Sequence, residues 1–241
     1  MTLIAGVKLP KGVLLVSDTR EILDDTEEIV VDSRRKITNV VRGVFMGTSG
    51  HESTSYVANI LRNCFYNASA NSDFSREYFH QSILKLYETV SDMHFTRRHQ
   101  NYPIGSIIIA EYVKESSSFN LFHAGGLSGF TSFDEGERTY VIGSKPQIRN
   151  NVKERIEIVL NNTDKDTLNI KNIYINVAKK IQEYFQQEAK DDISVGEKVY
   201  CTYVTQLQNQ PASDTFILSE DGLYVSVDPQ DNNDNIKELE N

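Results

Sequence analysis

The first residues able to do chemistry are Thr2, directly behind Met1, and Asp18, at the far end of the apolar stretch that follows. A small side chain at position 2 permits aminopeptidase removal of Met1. Removal leaves Thr2 with a free α-amine of unperturbed pKa about 7.7–8.0 beside its own hydroxyl. Hydroxyl and amine on one residue make a nucleophile that carries its own base. The apolar residues from Leu3, the Lys11-Gly12 turn and the run from Val13 to Val16 read as a hairpin that returns Asp18 to Thr2. Further on, Thr48-Ser49-Gly50 stands immediately before an amphipathic stretch. Glycine there lets the backbone approach a ligand, and a helix start supplies N–H donors without intrahelical partners. Such donors, aimed at a developing negative charge, make an oxyanion site.

Taken together, Thr2, Gly6-Val7-Lys8, Gly12-Val13, Ser17-Asp18-Thr19-Arg20, Lys36-Ile37 and Gly47-Thr48-Ser49-Gly50 resemble the opening third of a proteasome β subunit. That family consists of N-terminal-nucleophile hydrolases, and the length and the Ser-Asp-Thr-Arg motif are similar to its bacterial Anbu type. The resemblance implies a catalytic set of Thr2, Asp18, Lys36 and Gly50, with Lys36 chosen over Arg34 and Arg35 by the Lys-Ile pair. It extends to Ser144 at a strand-to-helix corner and to Asp191 and Ser194, the family's Asp-x-x-Ser-Gly. Val195 stands where that motif has a small residue, and Asp192 is the register alternative to Asp191. Substrate contacts are implied for Arg20, Glu21, Arg34 and Ser49.

The activity so implied is that of a threonine-type peptidase or amidohydrolase acting through an acyl-threonine intermediate. It needs no cofactor and no metal. Expected partners are a peptide or unfolded-protein substrate, further copies of the chain in a ring or helical stack, and an ATP-driven unfoldase. Two other readings use the same residues: a catalytically silent scaffold subunit, and an acyltransferase or small-amide hydrolase.

The elements that must position these residues follow from periodicity. Apolar residues at helical spacing predict a helix with Tyr56, Val57, Ile60, Leu61, Cys64 and Phe65 on its core face, and a second over Arg76 to His94. Arg97-Arg98-His99 suits the second helix's C-terminal dipole. Two more helices are predicted, over Ile148 to Leu160 and around Ile173 to Phe185. Ile104 to Val113 reads as a strand buried on both faces, with Ser118 to His123 as its hairpin partner. Strands are expected also at Ile29-Val30-Val31, Ile37 to Val41, Val44 to Gly47, Tyr140 to Ile142, Glu197 to Thr205, Thr215 to Leu218 and Leu223 to Val227. His123 reads as a core histidine, and Glu21 to Arg35 as a polar, acidic connection containing Asp24, Asp25, Glu27 and Glu28. The resemblance implies an α+β fold, a four-layer αββα sandwich, in one unit over residues 1–227 with an acidic, mobile tail at 228–241.

Composition narrows the classes. The 241 residues include 39% hydrophobic residues, enough for a core. A net charge of −9 without a long Lys/Arg run argues against gripping a nucleic-acid backbone. No apolar run has membrane-span length, and Cys64 and Cys201 stand far apart without metal-ligand spacing. A cytoplasmic protein with reduced thiols, no nucleic acid and no membrane contact is expected.

Overall fold

The computed structural model describes residues 2–22, 28–71, 74–98, 103–163, 165–168 and 172–228. Met1, most of the acidic loop (Asp24, Asp25 and Glu27), His99, the side chains of Arg97 and Arg98, and the tail beyond Asp228 lie outside what is described.

The chain opens with a hairpin, β1 (Leu3–Leu9) and β2 (Gly12–Asp18), in which Ile4 faces Ser17 and Leu9 faces Gly12. A short ladder, β3 (Glu21–Ile22) with β4 (Ile29–Val31), follows. Next come β5 (Ile37–Val41), β6 (Val44–Gly50) and the helices α1 (Ser53–Phe65) and α2 (Arg76–Arg98). The chain continues through β7 (Gly105–Val113), β8 (Ser118–Gly125) and β9 (Thr139–Gly143). Three helices follow: α3 (Pro146–Asn162), the single turn α4 (Lys165–Leu168) and α5 (Ile173–Glu188). β10 (Val199–Leu207), β11 (Gln210–Leu218) and β12 (Tyr224–Ser226) end the described chain.

The strands form a six-stranded sheet in the order β12-β11-β10-β2-β1-β9, a four-stranded sheet β5-β6-β7-β8, and the separate β3-β4 pair. This corrects the expected four-layer αββα sandwich: the described residues form a mixed, β-rich α/β structure of twelve strands in three sheets. Among the described residues all the strand pairings are antiparallel. Part of the difference lies in the segment after Asp18. Beyond the one short strand expected there, Glu21 pairs with Val31 and closes a ladder of its own.

Burial explains which elements meet. Leu3, Val7, Leu14 and Val16 pack with Val152 and Ile156 of α3 and Ile181 and Phe185 of α5. Met46, Ile107, Ile109 and Phe122 pack with Val57 and Leu61 of α1 and Phe79 and Tyr87 of α2. Ile4, Val13, Leu15, Ile37, Ile108 and Tyr200 form a third cluster shared by the two larger sheets. Each fully buried aliphatic side chain contributes roughly 1.5–3 kcal/mol. In α1 the buried face is rotated from the predicted one: Thr54, Val57, Ala58, Leu61 and Arg62 are buried, whereas Tyr56, Ile60 and Cys64 are exposed. Arg62 is drawn inward because its guanidinium donates to the Asn39 carbonyl and lies over the Tyr66 ring. No helix among the described residues is long and apolar enough to cross a membrane.

Candidate active site

Asp18 ends β2 with a fully buried carboxylate, and four donors converge on it. Leu3 N–H donates to Oδ1 at 2.8 Å, and the backbone N–H groups of Arg20 and Gly196 donate to Oδ2, each at 3.2 Å. Lys36 Nζ donates to the same Oδ2 at 2.8 Å. The hairpin supplies the first contact by its register, and β10, which sets Val199 against Asp18, carries Gly196 to the carboxylate. Gly6 and Gly12 sit within the hairpin, and the strand pair delivers Asp18 beside the residue that follows Thr2.

Lys36 lies just before β5, where its carbonyl accepts from Thr48 N–H of β6 at 3.0 Å. Its ammonium is buried, and a second donation goes to the Arg20 carbonyl at 2.5 Å. Burial lowers the Lys36 pKa from the ordinary lysine value, and the Asp18 charge and hydrogen bond oppose that lowering without cancelling it. An ammonium has three protons, so one remains beyond these two bonds.

Thr2 is partly exposed and is held through its backbone on both sides. Its carbonyl accepts from Ser144 N–H at 2.7 Å, while the next N–H, that of Leu3, is bound by Asp18. The corner that makes the first contact is tight. Gly143 has φ +93°, and a Cβ there would stand 1.6 Å from the Thr2 carbonyl oxygen. Ser144 itself has φ 32°, a left-handed conformation uncommon for serine. Arg149, in the first turns of α3, stabilises this corner by donating from Nη1 to the carbonyls of Gly143 (2.8 Å) and Ser144 (2.9 Å).

Beneath the corner, Ser144 Oγ donates to Asp192 Oδ2 at 2.7 Å. Asp192 Oδ1 accepts from Ser194 Oγ at 2.6 Å and from Ser194 N–H at 3.0 Å. Burial raises the Asp192 pKa, but the hydrogen bonds from Ser194 and Ser144 outweigh it and hold the carboxyl below the usual aspartate range. The assignment to Asp191 is therefore corrected to Asp192. Asp192 N–H continues the helical pattern to the Glu188 carbonyl, which turns Asp192 inward and leaves Asp191 exposed.

Gly50 ends β6 opposite Gly105 with φ +108°, and a Cβ there would meet the Ile104 carbonyl oxygen at 2.4 Å. Side chains are thus excluded from the place where β6 gives way to α1. Gly50, Thr2 and Lys36 line one cleft of about 260 Å³ together with Arg20, Glu21 and Arg34. A second cleft of about 760 Å³ shares Thr2, Gly50 and His51 with the first and is lined also by Leu127, Val141 and Arg149.

The four residues expected to contact substrate divide. Glu21 and Arg34 face the first cleft and approach one another at 3.6 Å. Arg20 also lines it, but its guanidinium donates to Asp32 (3.3 and 3.0 Å) and to the carbonyls of Ile193 and Val195 (3.3 and 3.2 Å). These bonds hold the Ser194 segment in place. Ser49 is buried, points toward the Ser106 carbonyl at 3.4 Å and belongs to the second cleft. His123 also lines the second cleft and stacks on Tyr140. Burial, with a smaller contribution from the Arg149 and Lys153 charges, lowers its pKa although Asp134 opposes them.

Reading the residues in order missed Asp32 and Arg149. Neither has a local signal, since each acts on a loop distant in the chain. Among the described residues no cluster of His, Cys, Asp and Glu is placed to hold a metal ion. No protein-family model and no curated protein matches this chain.

Proposed function

We propose that the chain is a threonine-type amidohydrolase of peptides, with Thr2 as its nucleophile once Met1 has been removed. One observation carries this reading. The Thr2–Leu3 peptide is held by Asp18 on one side and Ser144 on the other, and the Lys36 ammonium, on that same Asp18, lines the cleft to which Thr2 is exposed.

In this reading the Thr2 amine, directly or through a water, takes the hydroxyl proton as Oγ attacks the amide carbonyl. The Lys36 charge stabilises the oxygen as it becomes nucleophilic, and Gly50 N–H receives the oxyanion; one such donor contributes roughly 3–4 kcal/mol to lowering the barrier. The protonated amine then gives its proton to the leaving nitrogen, and water hydrolyses the acyl-threonine ester. Asp192, Ser144 and Ser194 hold the Thr2 carbonyl in place during both steps. A peptide or an unfolded protein segment is the substrate class. Assembly of several copies, delivery by an unfoldase and a cytoplasmic setting with the free thiols of Cys64 and Cys201 belong to the same proposal.

The test has two parts. Intact mass of the purified protein should show Met1 absent. A threonine-directed β-lactone should then leave one adduct, mapped to Thr2 and lost in Thr2→Ala. Retention of Met1 makes the amine an amide and turns the reading to a silent scaffold.

A further inference from the structure

We propose that the second cleft binds a carboxylate through Arg149, and that it selects amide substrates bearing a carboxylate on the part that enters it. The cleft is large enough for a residue-sized apolar group, about 760 Å³, with walls from Pro103, Leu127, Val141, Ile142 and Pro146. Among the described residues no acidic side chain lines it. Arg149 is its fixed positive charge, and no carboxylate among the described residues pairs with that guanidinium.

The guanidinium is also oriented in advance. Nη1 is anchored on the Gly143 and Ser144 carbonyls, while Nε and Nη2 meet no acceptor among the described residues. A planar donor group with one nitrogen held and two without an acceptor can meet a carboxylate with two parallel hydrogen bonds. Thr2 lines the same cleft, so a ligand fixed at Arg149 shares that space with the nucleophile. As a specificity site this rests on the amidohydrolase reading; as a binding site it does not.

Calorimetry on the full chain tests it with a probe pair differing only in charge, N-acetyl-leucine and N-acetyl-leucinamide. The acid is expected to bind at least tenfold tighter. Arg149→Met should abolish that preference, and Arg149→Lys should keep part of it. Leu127→Glu places an anion on the exposed rim and should weaken the acid but leave the amide unchanged. Equal affinity of the wild-type protein for acid and amide overturns the proposal, as does a preference that survives both Arg149→Met and Leu127→Glu. If Arg149→Met does not fold, the wild-type and Leu127→Glu comparison decides. Thr2→Ala should keep the preference. Binding selectivity without any peptide turnover would sink the amidohydrolase reading alone, and turnover without selectivity would sink this one alone.

Discussion

Lys36 Nζ and Asp18 Oδ2 lie 2.8 Å apart, with the carboxylate fully buried and the ammonium nearly so. A pair this enclosed loses its hydration on both sides, so its value depends on the remaining donors being satisfied. The Leu3, Arg20 and Gly196 N–H groups do that for Asp18. Asp18→Asn leaves the Lys36 charge without its partner. Its expected cost is about 3–5 kcal/mol in urea unfolding, with the m-value unchanged. Lys36→Met should cost less stability, because Asp18 keeps three backbone donors, but should abolish peptide turnover. Comparable stability losses in the two variants would contradict this division of roles.

Gly143→Ala forces a Cβ toward the Thr2 carbonyl, where 1.6 Å is available. The corner must move and carry Thr2 with it. A misplacement of about 1 Å at a nucleophile lowers turnover on the order of 100-fold. Labelling of Thr2 by the β-lactone should slow by a similar factor while the protein remains folded by circular dichroism.

The corrected acid is tested by comparing neighbours. Asp192→Asn should destabilise the protein by about 2 kcal/mol, since two hydroxyl donors and one N–H lose a charged acceptor. Asp191→Asn, on an exposed side chain, should stay within about 0.5 kcal/mol of wild type. The pH dependence has a definite sign. The folded Asp192 pKa lies below the ordinary 3.8, so its contribution is present above that value and is lost as pH falls through the folded one. The stability gap between wild type and Asp192→Asn should therefore close in acid and stay constant from pH 5 to about pH 7.

Glu111 of β7 is fully buried, 2.6 Å from His80 Nε2 and 3.0 Å from Arg76 Nη1. Burial raises its pKa, yet the His80 hydrogen bond and the Arg76 charge outweigh that and hold it below the usual glutamate range. Glu111→Gln should cost about 3 kcal/mol by thermal or urea unfolding, because Arg76 loses its ion-pair partner and His80 its charged hydrogen-bond partner. Turnover of the folded fraction should be unchanged, which separates this cluster from the site.

Much of the element plan was legible from local pattern. The strand limits Ile37–Val41 agree with the reading, and β6 runs from Val44 past the expected Gly47 to Gly50. α3 covers Ile148 to Leu160 with Ile148, Val152, Ile156 and Leu160 buried, because apolar residues at that spacing share one helix face. The α1 face was not legible. An arginine at position 62 reads as solvent-facing until a carbonyl from β5 and a neighbouring ring are available to it. The β3–β4 ladder escaped for a related reason, since a polar two-residue strand has no periodicity of its own and exists only by pairing.

Two nearly continuous apolar runs and a short turn by themselves determined that Asp18 returns to Leu3 and that Thr2 stands beside it, because those constraints act between chain neighbours. Only the tertiary structure decided that Asp192 rather than Asp191 holds Ser144, that Arg20 is tied to Asp32, and that Arg149 anchors the corner over Thr2. It also replaced a regular layered sandwich by twelve strands in three sheets among the described residues. Those outcomes depend on which donors and acceptors are left unsatisfied when distant segments are buried against each other, and residue order alone does not encode that balance.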